Sequence, residues 1–191
     1  MKSLVLASSS QWRRQLLEEA GIKVHCVTPE VDEEPIVGSS PVETAMLRAE
    51  AKAMTVARQR PEALVLGADQ VIHLDGEAIG KPPSDDIWRA RLVAMRGRTH
   101  ALTTAVALWD GRELEREAVT TMVQFRSDIT DAELDAYIAC GEAKGCAGGY
   151  MVERRGAWLV ESIDGDWLNV VGLPVLKVVG MLRARGWRMP A

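Results

Sequence analysis

Two charged residues near the middle of the chain could carry out phosphate chemistry. Asp69 follows the apolar segment 63–68, and Lys81 lies about a dozen residues later in the turn sequence Gly80-Lys81-Pro82. In α/β proteins ligands bind beyond the carboxyl ends of strands, so this arrangement favours a site for a metal ion and a phosphate group. The carboxylate could ligate the metal ion or accept a proton from an attacking water. An aspartate that only begins a turn is the alternative.

A serine turn near the start of the chain is the second candidate. Ser8 opens a run of three serines between an apolar segment and a predicted helix, where backbone N–H groups and the helix dipole would favour an anion. Arg13 and Arg14 lie in the first turn of that helix, although cations there oppose the dipole. Their presence favours an anionic ligand. Side chains that simply point into solvent are the alternative.

The acidic loop, residues 29–35, is the third candidate. Mg²⁺ uses one or two protein carboxylates together with waters and substrate phosphates, so one carboxylate of this loop with Asp69 would suffice. Lys52, which shares a helix face with Arg48, would supply a cation for the phosphates. A solvated acidic loop is the alternative. The carboxylates of the loop are Glu30, Asp32, Glu33 and Glu34.

Local signals predict one α/β domain over 1–191, with a mixed, twisted sheet that is flanked by helices. The Asp110-Gly111 turn predicts a hairpin, and Thr130 with Glu133 predicts a helix capping box. The predicted strands cover 4–7, 22–27, a segment ending at Asp69, 71–74, 99–109, 114–125, 150–153 and 157–162. The predicted helices cover 11–20, 41–58, 84–95, 131–140 and 174–185.

Composition and charge argue against several classes of protein. The formal net charge is −4, whereas a general nucleic-acid binder needs a dominant basic surface. The three cysteines and three histidines lack the spacing of a zinc site. No segment approaches the roughly 20 apolar residues of a membrane span, and the N-terminal apolar run is too short for a signal peptide. We therefore expect a cytoplasmic protein without nucleic-acid or membrane partners.

Seven segments occur in a fixed order along nearly the whole chain. They are Leu4–Arg14, Glu30–Glu33, Lys52-Ala53, Gly67–Gln70, Gly80–Pro82, Ala147–Tyr150 and Asn169–Pro174. Together they resemble the Maf family of nucleoside triphosphate pyrophosphatases. The resemblance implies a mixed α/β fold with a central cleft, related to inosine triphosphate pyrophosphatases, and a homodimer. It also implies that a nucleoside triphosphate is cleaved to its monophosphate and pyrophosphate, with a divalent cation, Mg²⁺ or Mn²⁺, as cofactor.

The resemblance also implies a role for individual residues. Asp69 would be the catalytic proton acceptor and Glu33 a metal-site carboxylate, while Arg13, Lys52 and Lys81 would contact phosphates. These roles are physically consistent, because attack of water at the α-phosphorus builds negative charge that a metal ion and fixed cations stabilise.

Three further positions would select the base. The family branch that acts on dTTP and UTP has arginine, threonine and glutamine where this chain has Trp12, Gln70 and Glu153, and the combination here is similar to the 7-methyl-GTP pyrophosphatases. N7-methylation makes guanine cationic, so an indole face would attract it, and a glutamate could accept hydrogen bonds from its N1–H and amine. Gln70 could read a base edge. From the residues alone, Trp12 could equally be a core residue and Glu153 could lie on a solvated hairpin.

The chain departs from the family pattern at two places. Gln11 stands where proline is usual, and segment 47–53 is a loose version of the family's helix motif. The first departure bears on how the helix begins and therefore on where Trp12 and Arg13 point. The alternatives are the same reaction on dTTP, UTP or another nucleoside triphosphate, and a non-catalytic nucleotide-binding regulator of septation.

Overall fold

The computed structural model describes residues 3–189, in which strands and helices interleave. The strands are β1 (Leu4–Ala7), β2 (Val24–Val27), β3 (Leu64–Leu74), β4 (Glu77–Ile79), β5 (Thr99–Trp109), β6 (Leu114–Phe125) and β7 (Val160–Asp164). The helices are α1 (Gln11–Glu19), α2 (Pro41–Gln59), α3 (Asp85–Met95), α4 (Asp131–Cys140), α5 (Trp167–Val171) and α6 (Val175–Ala184). Two short 3₁₀ helices cover Ala147–Gly149 and Arg155–Leu159.

All seven strands belong to one sheet with the order β2-β1-β3-β5-β6-β7, and β4 pairs with the far end of β3. β1 runs parallel to β2 and β3, whereas the remaining pairs are antiparallel. The predicted mixed sheet flanked by helices is therefore confirmed. β1 is buried along its whole length, as expected for a strand in the parallel part of a sheet that helices cover on both faces.

Side chains along the central strands alternate between two apolar layers. Leu4 and Leu66 pack in the layer that includes α1 and α6, whereas Val5 and Val65 pack against α2. A third cluster forms where α3 and α4 cover the other end of the sheet. Because alternate residues of β3 face opposite layers, Asp69 lies on the α2 side of the sheet and Gln70 lies on the other side.

Gly67 determines how closely α2 approaches the sheet. A Cβ atom at this position would collide with the carbonyl oxygen of Ala49 and would lie 2.7 Å from the backbone nitrogen of Ala53. Without that atom, the helix backbone rests directly on β3. The close approach brings Lys52, the neighbour of Ala53, to the part of β3 that carries Asp69.

β3 does not end at Asp69, so the predicted strand boundary is wrong. β5 pairs with β3 from Val65 to His73, while β1 on the other edge stops at Ala7, opposite Gly67. Asp69 therefore lies in mid-strand, just beyond the end of β1, where one edge of β3 is open. The polar pair Asp69-Gln70 after an apolar run is typical of a strand end. Pairing with the long strand β5 extends β3 beyond this point, and the local sequence does not reveal that partner.

The predicted hairpin over 150–162 is also wrong. Residues 152–154 form a turn that leads into the 3₁₀ helix, and the strand in this region, β7, pairs with β6. Gly156 packs so closely against the backbone of Met151 that the chain coils here instead of pairing with itself. The short helix α5 was not predicted, although Asp166 caps it by accepting from the N–H of Leu168.

The other predicted elements agree with the structure to within two residues. The capping box at Thr130 and Glu133 is present. At the start of α2, Ser40 caps the helix by accepting from the N–H of Glu43, and the carboxylate of Glu43 accepts from Ser39. No helix within residues 3–189 is long and apolar enough to cross a membrane.

Gly67→Ala is expected to lower the free energy of unfolding by about 1 to 3 kcal/mol, because overpacking would push α2 away from β3. Urea denaturation measures the difference. Gly80→Ala is the matched control, since a Cβ atom there would meet nothing within 4 Å, and it should change stability by less than about 0.5 kcal/mol. Equal stability of the two variants would contradict the close approach of helix and sheet.

Candidate active site

A cleft of about 1220 Å³ opens beside the free edge of β3. The β1–α1 turn, the acidic loop, α2, β3, the segment after β4 and the loop 144–153 contribute to its walls. Nine of the residues that were proposed from the sequence line this cleft, although they come from distant parts of the chain, whereas Arg14, Glu30 and Asp32 do not line it. They are Ser8, Trp12, Arg13, Glu33, Lys52, Asp69, Gln70, Lys81 and Glu153.

A lysine ammonium group holds two carboxylates together on the α2 side of the cleft. Lys52 Nζ lies 2.7 Å from Asp69 Oδ1 and 2.8 Å from Glu33 Oε2. Lys52 and Asp69 are each only 7% exposed, whereas Glu33 is partly exposed. Burial of a charge is costly unless the charge is paired and hydrogen-bonded, so these groups stabilise one another. The three residues form a fixed cluster, which we call the Lys52 cluster.

One oxygen of the Lys52 cluster has no partner. Asp69 Oδ2 is buried and makes no hydrogen bond within the described part of the chain. Buried polar atoms are normally satisfied, so an unpaired carboxylate oxygen on a residue that lines the cleft calls for a ligand, such as a water molecule or a cation. Since Lys52 already fixes Asp69 Oδ1, the second oxygen is held in a defined position.

The same two carboxylates fit a divalent cation. Among residues 3–189 no group of three or more His, Cys, Asp and Glu side chains is placed to hold a metal ion. Mg²⁺ keeps several waters and binds through one or two carboxylates plus phosphates, so it needs no such group. Glu33 and Asp69 converge on one ammonium group, and Asp69 still has a free oxygen. These two residues are therefore the ones that could hold the cation that the resemblance implies.

Arg13 connects three segments at the floor of the cleft. Its guanidinium group donates to the carbonyl oxygen of Ala68 at 2.8 Å, to that of Gly172 at 3.1 Å and to Ser8 Oγ at 3.4 Å. Burial lowers the pKa of Arg13, while the charges of Asp69 and Glu33 raise it. Arginine stays protonated in proteins, so Arg13 is a fixed cation beside the Lys52 cluster.

The start of α1 is regular despite Gln11. Ser10 caps the helix by accepting from the N–H of Arg13, and Ser8 Oγ accepts from the N–H of Ser10. Arg14, by contrast, points away from the cleft and pairs with Glu18 on the exposed face of the helix. Arg14 therefore points into solvent, which was the alternative to an anionic ligand, whereas Arg13 faces the cleft.

Two side chains that were proposed to bind the base lie on the other side of the cleft. Gln70 Nε2 donates to the backbone carbonyl of Asn169 at 2.7 Å and to Thr104 Oγ1 at 3.1 Å. These bonds leave the amide oxygen of Gln70 as an acceptor. Trp12 is partly buried and packs against the cluster beneath α3 and α4. It therefore has the contacts of a core residue and also lines the cleft.

Glu153 lies in the turn before the 3₁₀ helix, not on a hairpin. The residue is exposed overall, but partial burial of its carboxyl group raises its pKa above the ordinary value, and Arg154 acts in the opposite direction. Gly149 anchors the preceding loop, because its carbonyl accepts from Trp88 Nε1 at 2.6 Å. This bond ties the wall that carries Glu153 to α3.

Several functional candidates were missed in the sequence or received no role. Arg48 lines the cleft and donates from Nε to the carbonyl oxygen of Ile36, which follows the acidic loop. Asn169 is fully buried, and its side-chain nitrogen donates to the carbonyl oxygens of Leu102 and Val119. Its place in segment 169–174 was the available signal. Arg154 lay within the wrongly predicted hairpin, and no signal in the sequence pointed to it.

Comparison with known proteins finds relatives over nearly the whole chain. The family described as Maf-like protein matches residues 3–185. A 7-methyl-GTP pyrophosphatase of Burkholderia thailandensis is 44% identical and covers 96% of this chain and 88% of its own length. One from Cupriavidus pinatubonensis is 40% identical, with 96% and 94% covered. A dTTP/UTP pyrophosphatase of Pelotomaculum thermopropionicum is 37% identical, with 99% and 100% covered.

Lys52→Met is expected to lower the free energy of unfolding by about 3 kcal/mol, because it leaves the buried charge of Asp69 without its cation. Denaturant titration at neutral pH measures the loss. Arg14→Met is the matched control, since it removes an exposed ion pair with Glu18 of nearly the same length, 2.8 Å. That variant should lose less than about 1 kcal/mol. Similar losses in both variants would rule out a stabilising buried pair.

Proposed function

This chain belongs to the family of Maf-like proteins, and on that premise we propose that it is a nucleoside triphosphate pyrophosphatase that prefers 7-methyl-GTP. The products are the nucleoside monophosphate and pyrophosphate. The names of the relatives support the reaction, and several of them are 7-methyl-GTP pyrophosphatases. The observation that carries the catalytic assignment is the buried Lys52–Asp69 pair, whose aspartate lines the cleft and keeps one carboxylate oxygen without a partner.

Asp69 is suited to activate the attacking water. Its Oδ1 is fixed by Lys52, and the unpartnered Oδ2 can accept a proton from a water molecule placed against it. The oxygen of that water forms a bond to the α-phosphorus, the bond from the α-phosphorus to the bridging oxygen breaks, and pyrophosphate leaves. Negative charge increases on the phosphate oxygens during this step.

Fixed cations stabilise that charge. Lys52 and Arg13 are held at the floor of the cleft, while the exposed Lys81 lies at its wall. Such preorganised charges stabilise a transition state without reorganisation. We propose a Mg²⁺ or Mn²⁺ cofactor held by Glu33 and Asp69, which would add positive charge at the phosphates when bound. A cytoplasmic location and a homodimer, expected from the sequence and the resemblance, stay predictions.

The base preference rests on three side chains of the opposite wall. The face of Trp12 attracts a cationic ring, a contact that contributes roughly 1 to 2 kcal/mol where water is excluded. Glu153 as a carboxylate accepts from the N1–H and amine of guanine, and its negative charge complements the methylated ring. The amide oxygen of Gln70 can accept a further hydrogen bond. Together these groups favour 7-methylguanine over a neutral pyrimidine.

Pyrophosphate release from 7-methyl-GTP, GTP, dTTP and UTP with Mg²⁺ tests the proposal. We expect the highest kcat/KM with 7-methyl-GTP, and Asp69→Asn should abolish turnover. Trp12→Ala should reduce kcat/KM for 7-methyl-GTP by about tenfold and that for GTP less, because the lost contact involves the cationic ring. Trp158→Ala, at an 81% exposed tryptophan, is the matched control and should change neither.

Three outcomes would contradict parts of the proposal. Equal losses on every base in Trp12→Ala would identify a structural tryptophan. Faster turnover of dTTP or UTP would overturn the base preference but not the reaction. Nucleotide binding without pyrophosphate release would support a regulator in place of an enzyme.

A further inference from the structure

A cation from the chain itself lies on the indole ring that is proposed to bind the base. The guanidinium carbon of Arg154 is 5.0 Å from the centre of the Trp12 ring, which is the geometry of a cation–π contact. Arg154 is exposed, and its guanidinium group makes no ion pair with a carboxylate within residues 3–189. Its position is therefore set by the contact with Trp12 and not by a competing salt bridge.

The contact covers part of the ring surface of Trp12. Part of Trp12 packs against the cluster beneath α3 and α4, so the ring has little free surface. Arg154 follows Glu153 directly in the chain, and it is close enough to lower the pKa of that carboxyl group. A base that stacked on the same face of Trp12 would have to enter the space that the guanidinium group occupies.

We propose that Arg154 is a specificity-determining residue that occupies the position of the base on Trp12 and must move aside when the nucleotide binds. The inference rests on the proposed function, because it takes Trp12 as part of the base site. Displacement of Arg154 weakens the binding of every base. Since Arg154 stays tethered next to the site, its positive charge opposes a cationic base more than a neutral one. Glu153 thus favours a cationic base, whereas Arg154 disfavours it.

Isothermal titration with 7-methyl-GMP and with GMP tests this role without turnover. Arg154→Ala should tighten the binding of GMP by about 2- to 5-fold, the equivalent of one exposed cation–π contact. The binding of 7-methyl-GMP should tighten more, because the repulsion of its charge is also removed. Arg155→Ala is the matched control, since it removes the same charge one residue away, from an exposed side chain that does not lie on the Trp12 ring, and it should not tighten either ligand.

A second pair of variants tests whether Arg154 acts through the indole ring. In the Trp12→Ala background, Arg154→Ala should no longer tighten GMP. The inference is overturned if Arg154→Ala weakens both ligands, if it behaves like Arg155→Ala, or if its effect persists without Trp12. A wild-type protein that binds both ligands equally would contradict the proposed base preference, yet Arg154→Ala would still tighten GMP, so the two failures are distinguishable.

Discussion

The burial of an ammonium group between two carboxylates is the constraint on which the rest of this site depends. Lys52 can lie 2.7 Å from Asp69 only if α2 approaches β3 closely, and Gly67 with the alanines of α2 permits that approach. An unpaired charge at either position would be costly, so the pair and the helix–sheet packing form together. A structural feature, the absence of one Cβ atom, thus places Lys52 beside Asp69.

The second constraint is the early end of β1. Because β1 stops at Ala7 while β5 keeps β3 extended, one edge of β3 is open beside Asp69 and Gln70. These neighbours point to opposite faces of the sheet, so one cleft can use the Lys52 cluster for phosphate chemistry and Trp12 with Gln70 for the base. The order of the two residues in the sequence therefore separates the proposed catalytic group, Asp69, from the proposed base-binding group, Gln70.

Much of the fold could be predicted because its signals are local. The Asp110-Gly111 turn located β5 and β6 to the residue, and the capping box of Thr130 located α4. The site residues were identified mainly through the ordered motifs, since exposed lysines and glutamates carry little information alone. The errors arose where distant contacts decide the structure.

Pairing with β5 extends β3 past Asp69, and a close backbone contact at Gly156 replaces the predicted hairpin with a coil. Neither contact leaves a trace in the neighbouring residues. The contact of Arg154 with Trp12 is likewise a distant one, so the local sequence did not predict it. This contact matters for the proposed recognition of the base.

A crystal structure with Mn²⁺ and a non-hydrolysable nucleoside triphosphate analogue tests the central claim most directly, through the anomalous scattering of the metal ion. We expect a peak within about 2.3 Å of an oxygen of Asp69 and of Glu33, with Lys52 in contact with the triphosphate and Asp69 facing the α-phosphorus. A peak bound by other residues, or an α-phosphate remote from Asp69, would contradict it.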